Sequence, residues 1–494
     1  MILKPHISDI CFSLNRTQVV LVALFVLVNV GLVVFAHKSP PYPGGPLLSP
    51  TYHSAADGQR YWGVAINLAE KGSFTIPPLW DSRPEEPLQR SGPLPAIAFS
   101  IPIKLVGFDK APIWIISFQC FLVFIMSLFS RSIAVRFGAN KTLLQCLILF
   151  NPNLVSLAHF AQSDLLFSFI FSTILFLLYK RIIFCIRPKL CWFLTLGGLI
   201  GLLCLTREVG LVTAVSLPVI LVLTTAIVKS TSTPSIRVIL RGSIVASFAF
   251  LIVVTPWAIR NQNVFHSLTL TSGGVGQLHY ILQTLQQVRH PNSSHDTIQQ
   301  GVQSSVNLKL FSSGMDHCDG SIAQDSLCRN AIRNAYIESI ISQPPSVIIF
   351  ATINAATKTI LGGGVQRIAD YLGLSYREIQ SLFVSPFSME KFLLTASTLS
   401  FSEHSVLLLL SLVAFGFVLF TRIFGIGGLF ISVSQQTNLH AHLLHVLLVL
   451  AILSAYFVVA TTRFRAPLEP ILMLYAAIGL TKFMQIVGPQ NVRR

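Results

Sequence analysis

Two aspartates and a few arginines stand out in this 494-residue chain because they fall at the edges of long apolar runs. Asp57 opens the polar stretch Ala56 to Gly72. Asp164 closes the short polar turn Gln162-Ser163-Asp164, Arg207 lies in the tight turn Thr206-Arg207-Glu208, and Arg463 and Arg465 flank Phe464 just before the last apolar run. If the runs are alternating membrane spans, all five face one compartment at similar depth. Ionisable groups at a bilayer boundary are costly and tend to mark function. Acids and guanidiniums collected there suit a membrane enzyme acting on a phosphorylated lipid, or a transporter of an anion. Each residue also has a plainer reading. Asp57 sits where a helix N-terminus favours a carboxylate, Asp164 can cap the following span, as Ser163 also could, and Arg463 and Arg465 can anchor at the membrane interface.

The elements that must position these residues follow from composition. Hydrophobic residues make up 52% of the chain and charged residues 11%, with a mean hydropathy of +0.68. Soluble domains carry about 25% charged residues, so this is an all-α polytopic membrane protein. The net charge of +16 reads as the positive-inside bias and not as a nucleic-acid surface, because Lys4, Arg16, Arg131 to Lys141, Lys180 to Lys189, Lys229 to Arg241, Arg493 and Arg494 all fall on one side if spans alternate. Apolar length predicts spans at about Gln18–Ala36, Ile113–Phe129, Leu143–Phe160, the run after Asp164, Cys191–Leu205, Val209–Val228, Ile244–Trp257, Leu407–Phe420, His445–Ala460 and Pro470–Leu480, about ten to twelve in all. Asn151-Pro152-Asn153 is expected to kink the third. If Arg422 and the C-terminal arginines are cytoplasmic, Arg463 and Arg465 are not.

The division that follows is a cytoplasmic tail (1–17), an N-terminal transmembrane core (18–257) containing the first external loop (37–110), an external loop or small subdomain (258–345), a C-terminal transmembrane region (346–485) and a cytoplasmic tail (486–494). The first apolar run is expected to be a retained helix. In the first loop, Tyr61, Val64, Ala65 and Leu68 share one helical face, so Ala56 to Gly72 can lie along the membrane surface. Cys318 and Cys328 fall in the polar external region, where a disulfide is the expected use and implies a periplasm, ER lumen or cell exterior. The other cysteines read as small buried hydrophobes. His442 and His445, spaced to share a helix face, do not make a metal-ligand pattern.

The order of these features resembles the GT-C glycosyltransferases, in particular the family 39 protein mannosyltransferase-like group that includes the lipid A aminoarabinose transferase. Asp57, Tyr61, Ala65, Leu68, Gly72 and Pro77 resemble the family's first-loop pattern, and Arg90 before Gly92-Pro93-Leu94-Pro95 its basic residue ahead of a proline-rich helix start. Gln162 to Phe167 resembles the acidic opening of the fourth span. Thr255 to Asn261, with Gly273 and Gly274 beyond, resembles its "PW..RN" stretch, and Arg463 to Pro470 its "RFR.P..P" start of the last span.

That resemblance implies an inverting enzyme that moves a sugar from a polyprenyl or dolichyl phosphate to an acceptor hydroxyl of a protein, lipid or glycan at the periplasmic or lumenal face of the bilayer. It implies Asp57 as general base, because an acceptor hydroxyl is a poor nucleophile until a carboxylate takes its proton. The departing phosphate needs cations; Arg90, Arg207, Arg260, Arg463 and Arg465, with Tyr61, are the implied donor and acceptor ligands. Asp164 could assist the acceptor, orient Arg207 or bind a divalent cation, Mg or Mn. Gly58 departs from the family, whose members often carry a second acid there, so a two-carboxylate role in this loop is in doubt. The rival from another class is a multi-span transporter or flippase of a lipid-linked or anionic substrate. Mid-membrane charges and internal repeats would indicate it, and the sequence shows neither.

Overall fold

The computed structural model describes residues 15–38, 56–76, 86–88, 91–183, 185, 188–228, 234–271, 274–291, 293–315, 318, 326–363, 405–435, 438–459 and 462–487. The Asp57 side chain, Arg90, Gly273, Asn292 and the mixed segment 364–402 lie outside the described residues. What is described is almost wholly helical, the one backbone state that satisfies its own polar groups in hydrocarbon.

The helices are α1 (Arg16–Lys38), α2 (Ala56–Lys71), α3 (Leu94–Val106), α4 (Ala111–Ala134), α5 (Lys141–Leu149), α6 (Pro152–Leu157), α7 (Ser163–Leu177), α8 (Leu190–Thr206), α9 (Gly210–Ile227), α10 (Ile236–Phe265), α11 (Gly274–Arg289), α12 (His295–Ser312), α13 (Ser326–Ile341), α14 (Pro345–Leu361), α15 (Ser405–Ser434), α16 (Leu439–Tyr456) and α17 (Glu469–Val487). Among the described residues eight are long and apolar enough to cross a membrane, or up to nine if the pair α13 and α14, bent by 98°, counts as one span; α3 and α8 are shorter apolar helices. The chain is an integral multi-pass membrane protein. The run Leu143 to Phe160 is broken where expected: the Asn151 side chain accepts from the amides of Asn153 and Leu154 and restarts the chain as α6, with Pro152 in its first turn.

One apolar core joins the two halves of the chain, drawing buried residues from α4, α5, α7, α8, α9, α16 and α17. Backbone contact draws α15 and α17 together. A Cβ at Gly428 would stand 2.0 Å from the Tyr475 carbonyl oxygen, and one at Gly479 2.1 Å from that of Phe424. Arg422 of α15 meets Glu469 of α17 and Gly428 further along meets Tyr475, so the two helices run the same way, with α16 returning between them in sequence. Small residues permit this approach, and close packing takes the place of a hydrophobic drive between helices in lipid.

At one end of the bundle lie the basic turns. Asn438 donates to the Arg136 carbonyl at 2.6 Å, and the Thr481 hydroxyl accepts from the Asn140 amide at 3.0 Å. The opposite end, here the site end, carries the turns at 162–164, 206–208 and 462–468 and receives the first loop. Helix α2 packs on α3, while a two-stranded ribbon, β1 (Thr75–Ile76) against β2 (Glu86–Pro87), follows it. Arg260, at the outer end of α10, grips this ribbon: its Nη1 donates to the Leu88 carbonyl at 2.9 Å and its Nη2 to that of Phe74 at 3.3 Å. Trp257 packs edge-on against Phe74 with ring centres 5.2 Å apart. Asn261 and Trp257 also bind the returning chain at Thr269 and Leu270. Beyond it, α11, α12 and α13 enclose their own core, including Leu282, Val302, Val306, Leu310 and Ile332, beside the Cys318–Cys328 disulfide.

Two outcomes test this packing. Gly479→Leu is expected to cost about 1–3 kcal/mol by overpacking the seam, seen as a lower melting temperature in detergent, whereas Gly198→Ala, with nothing within 4 Å of the new Cβ, leaves it unchanged. Arg260→Ala is expected to speed amide hydrogen exchange over 74–76 and 86–88 severalfold while α7 and α17 keep their protection; unchanged exchange in the ribbon would show that the guanidinium does not hold it.

Candidate active site

Asp164 lies in the first turn of α7 and is 3% exposed. The N-cap position is Gln162, whose side chain makes no capping bond, so the carboxylate is turned to another use: it forms an ion pair with Arg207, the residue that ends α8. Of the three roles open to Asp164 in the sequence, the geometry matches the orientation of Arg207. An ion pair this far out of water is held firmly, because removing either partner strands a charge.

Arg207 also lies over the ring of Phe464, 5.2 Å from its centre, and Arg463 lies over the same ring at the same distance. Phe464 stacks in turn on Tyr456 at the end of α16, with centroids 4.0 Å apart and planes 5° off parallel. Two guanidiniums and a carboxylate from three separate turns therefore converge on one aromatic pair. The backbone at Phe457, immediately after Tyr456, takes φ 46° and ψ −115°, a conformation that non-glycine residues avoid and that tends to persist at functional sites.

The first loop walls this cluster. Trp62 and Ala65 of α2 share a buried cluster with Ala161, three residues before Asp164. Val64 shares another with Trp257, against which Leu205, two residues before Arg207, also packs. At the start of α3 the backbone of Gly92 lies on the end of α8, where a Cβ would meet the Leu205 oxygen at 2.0 Å. Thr271 donates to Glu208 at 2.5 Å, fixing the turn from its far side. Ser91 and Ser163 bring buried hydroxyls with no hydrogen-bond partner among the described residues.

The sequence-predicted residues thus separate. The structure brings Asp164, Arg207 and Arg463 together, and it places α2, which carries Asp57 and the half-buried Tyr61, beside them. It does not bring Arg260 or Arg465 into the cluster. Arg260 is spent on the ribbon, its Nη1 donating to Asn261 as well. Arg465 is 1% exposed and points into the protein: it is ion-paired with Glu469 and donates to the carbonyls of Thr359, Ile360 and Gly362 at 2.8–3.0 Å. Arg422, whose cytoplasmic placement is the condition for putting Arg463 and Arg465 on the other side, is buried in the middle of α15 and bonds both Glu469 oxygens, at 3.1 and 3.3 Å, and the Ile360 carbonyl. Sequence reasoning passed over Glu469, although its spacing of four from Arg465 at the head of an apolar helix was a usable signal.

His442 and His445 do face together, yet toward the opposite end: both bond the Tyr475 hydroxyl, at 2.8 and 2.9 Å, and His445 also bonds Tyr179. Among the described residues no three His, Cys, Asp or Glu side chains gather as a metal site.

No protein-family model matches the chain, nor does any curated protein by sequence. Solved structures do. The Archaeoglobus fulgidus oligosaccharyltransferase tethered to an acceptor peptide matches over 94% of this chain and 50% of its own length, with 11% identity and a TM-score of 0.50. The oligosaccharyltransferase AglB of the same organism, in complex with an inhibitory peptide and a dolichol-phosphate, matches over 95% and 52%, with 12% identity and a TM-score of 0.48. ArnT from Cupriavidus metallidurans bound to undecaprenyl phosphate matches over 95% and 79%, with 15% identity and a TM-score of 0.35. The chain spans about half the length of the archaeal enzymes, and nothing in these matches singles out family 39. At such identities the likeness concerns the path of the backbone, and that path is the GT-C membrane fold.

Proposed function

We propose that this chain is an integral membrane glycosyltransferase that takes a sugar from a polyprenyl or dolichyl phosphate and places it, with inversion, on an acceptor hydroxyl of a protein, lipid or glycan at the periplasmic or lumenal face. The observation that carries this reading is the convergence of Asp164–Arg207 and Arg463 on Phe464 at one end of the bundle, with the polar helix α2 packed against it. The GT-C fold supports it. The Cys318–Cys328 disulfide in the subdomain following α10 supports an oxidising compartment on that side.

In this mechanism the Asp57 carboxylate accepts the proton of the acceptor hydroxyl as its oxygen bonds the anomeric carbon from the face opposite the carrier. The bond from that carbon to the phosphate oxygen breaks, and its electron pair leaves with the phosphate. Arg207 and Arg463 meet the developing charge, so no general acid is required. Asp164 keeps Arg207 aimed. Tyr61, one turn beyond Asp57, and Arg90, two residues before Gly92, border the acceptor and the phosphate respectively. Arg260 and Arg465 serve by holding α2's loop and α14 in place. A divalent cation, Mg or Mn, would have Asp57 or Asp164 as its hard ligand and would share the phosphate charge.

The test is turnover of radiolabelled polyprenyl-phosphate sugars by the purified protein in detergent with a membrane extract as acceptor. Asp57→Asn is expected to lower transfer by about 10²–10⁴-fold with donor binding kept, and Arg463→Gln by about 10²-fold. Full activity in Asp57→Asn removes that residue from the mechanism. Absence of transfer by the wild type, with movement of lipid-linked substrate across liposomes, would make the protein a transporter.

A further inference from the structure

The sequence Arg463-Phe464-Arg465 sends its two arginines in different directions. It lies in a 3₁₀ segment, Thr462–Leu468, where each residue advances about 120°, so Arg463 and Arg465, two positions apart, do not share a face. Arg463 and Phe464 meet the Asp164–Arg207 cluster, and Arg465 turns the other way into a buried network. There Glu469, fully buried, joins two guanidiniums, those of Arg465 and Arg422, which are 1% and 6% exposed. Both arginines donate to carbonyls at the C-terminal end of α14. Those carbonyls have no intrahelical partner and carry the negative pole of the helix, so the cations cap them. One carboxylate thus fixes the turn, the middle of α15 and the end of α14 to one another.

We propose that Glu469 is a positioning residue for the anion site: through Arg465 it sets the register of the 3₁₀ turn and so the place of Arg463 and Phe464 beside Arg207. The inference rests on the reading of Arg207 and Arg463 as phosphate ligands. Glu469 itself touches no substrate. Without its charge the two buried guanidiniums repel each other, Arg465 loses its tie to the head of α17, and the turn that presents Arg463 loosens. Glu469→Asp keeps the charge and restores the tie in part.

Full-length protein in detergent is titrated with undecaprenyl phosphate, read by native mass spectrometry, while hydrogen exchange is followed over 355–362 and 462–468. Glu469→Gln is expected to weaken binding about ten- to a hundredfold, as misplacement of binding groups by an ångström does, and to speed exchange in both segments. Glu469→Asp should recover binding to within about threefold of wild type. Wild-type affinity in Glu469→Gln overturns the proposal, whether or not exchange changes. If Glu469→Gln does not fold, Arg465→Gln carries the same test, since it removes the tie through which Glu469 acts and leaves the neutral pair Arg422–Glu469; faster exchange over 462–468 with weaker binding supports the proposal, and wild-type binding overturns it. Failure of the wild type to bind undecaprenyl phosphate counts against Arg207 and Arg463 as phosphate ligands, and exchange over 462–468 in Glu469→Gln then decides whether Glu469 sets the turn.

Discussion

Hydrocarbon offers no water to a bare carbonyl, so a place where this chain leaves regular helix away from water needs a donor from elsewhere in the protein. At two breaks in this chain arginine supplies it. Arg260 reaches the carbonyls of Phe74 and Leu88, and Arg465 and Arg422 reach those at the end of α14. The planar guanidinium, with five donors on a long stem, spans distances that a hydroxyl or amide cannot. The irregular segments so held are the ones that bring Asp57's helix and Arg463's turn to the site end. The cluster at the site end is therefore positioned by cations that do not belong to it.

The ion pair Asp164–Arg207 stands on different ground. It joins two span ends that are neighbours in the bundle, leaving the Arg207 side chain 16% exposed. A carboxylate that neutralises one guanidinium while leaving its face against Phe464 fixes the geometry at that spot and tempers its charge. Phe464, pressed between Tyr456 and two arginines, supplies the rigid plane on which that geometry rests.

Much of this was legible in the residues alone, because apolar length and short polar turns are local signals. The break at Asn151-Pro152, the tight turns holding Asp164 and Arg207, and the polar character of α2 all follow from a few neighbouring residues. Arg422 shows where local reading ends. Apolar length places a span at about Leu407 to Phe420. In the bundle α15 runs on to Ser434, because a glycine that weakens an isolated helix lets α15 meet the backbone of α17. Arg463 and Arg465 are the same residue type two positions apart, and only the 3₁₀ geometry of their turn sends one to the site and the other inward. Nor does spacing foretell that His442 and His445 would close on Tyr475, which comes thirty residues later.

The network around Glu469 also bears on how the protein is made. A ribosome delivers α14 well before Arg422, and Arg465 and Glu469 emerge only with the last described span. Until then the carbonyls of Thr359 and Gly362 lie at a membrane helix end without the Arg465 donor that finally satisfies them. The Asp164–Arg207–Arg463 cluster is completed at the same moment, since Arg463 and Phe464 belong to the same turn. Insertion of α17 is thus the step that converts a partly assembled bundle into a closed one, and a chain cut short before it would present the membrane quality-control machinery with an uncapped helix and half a site.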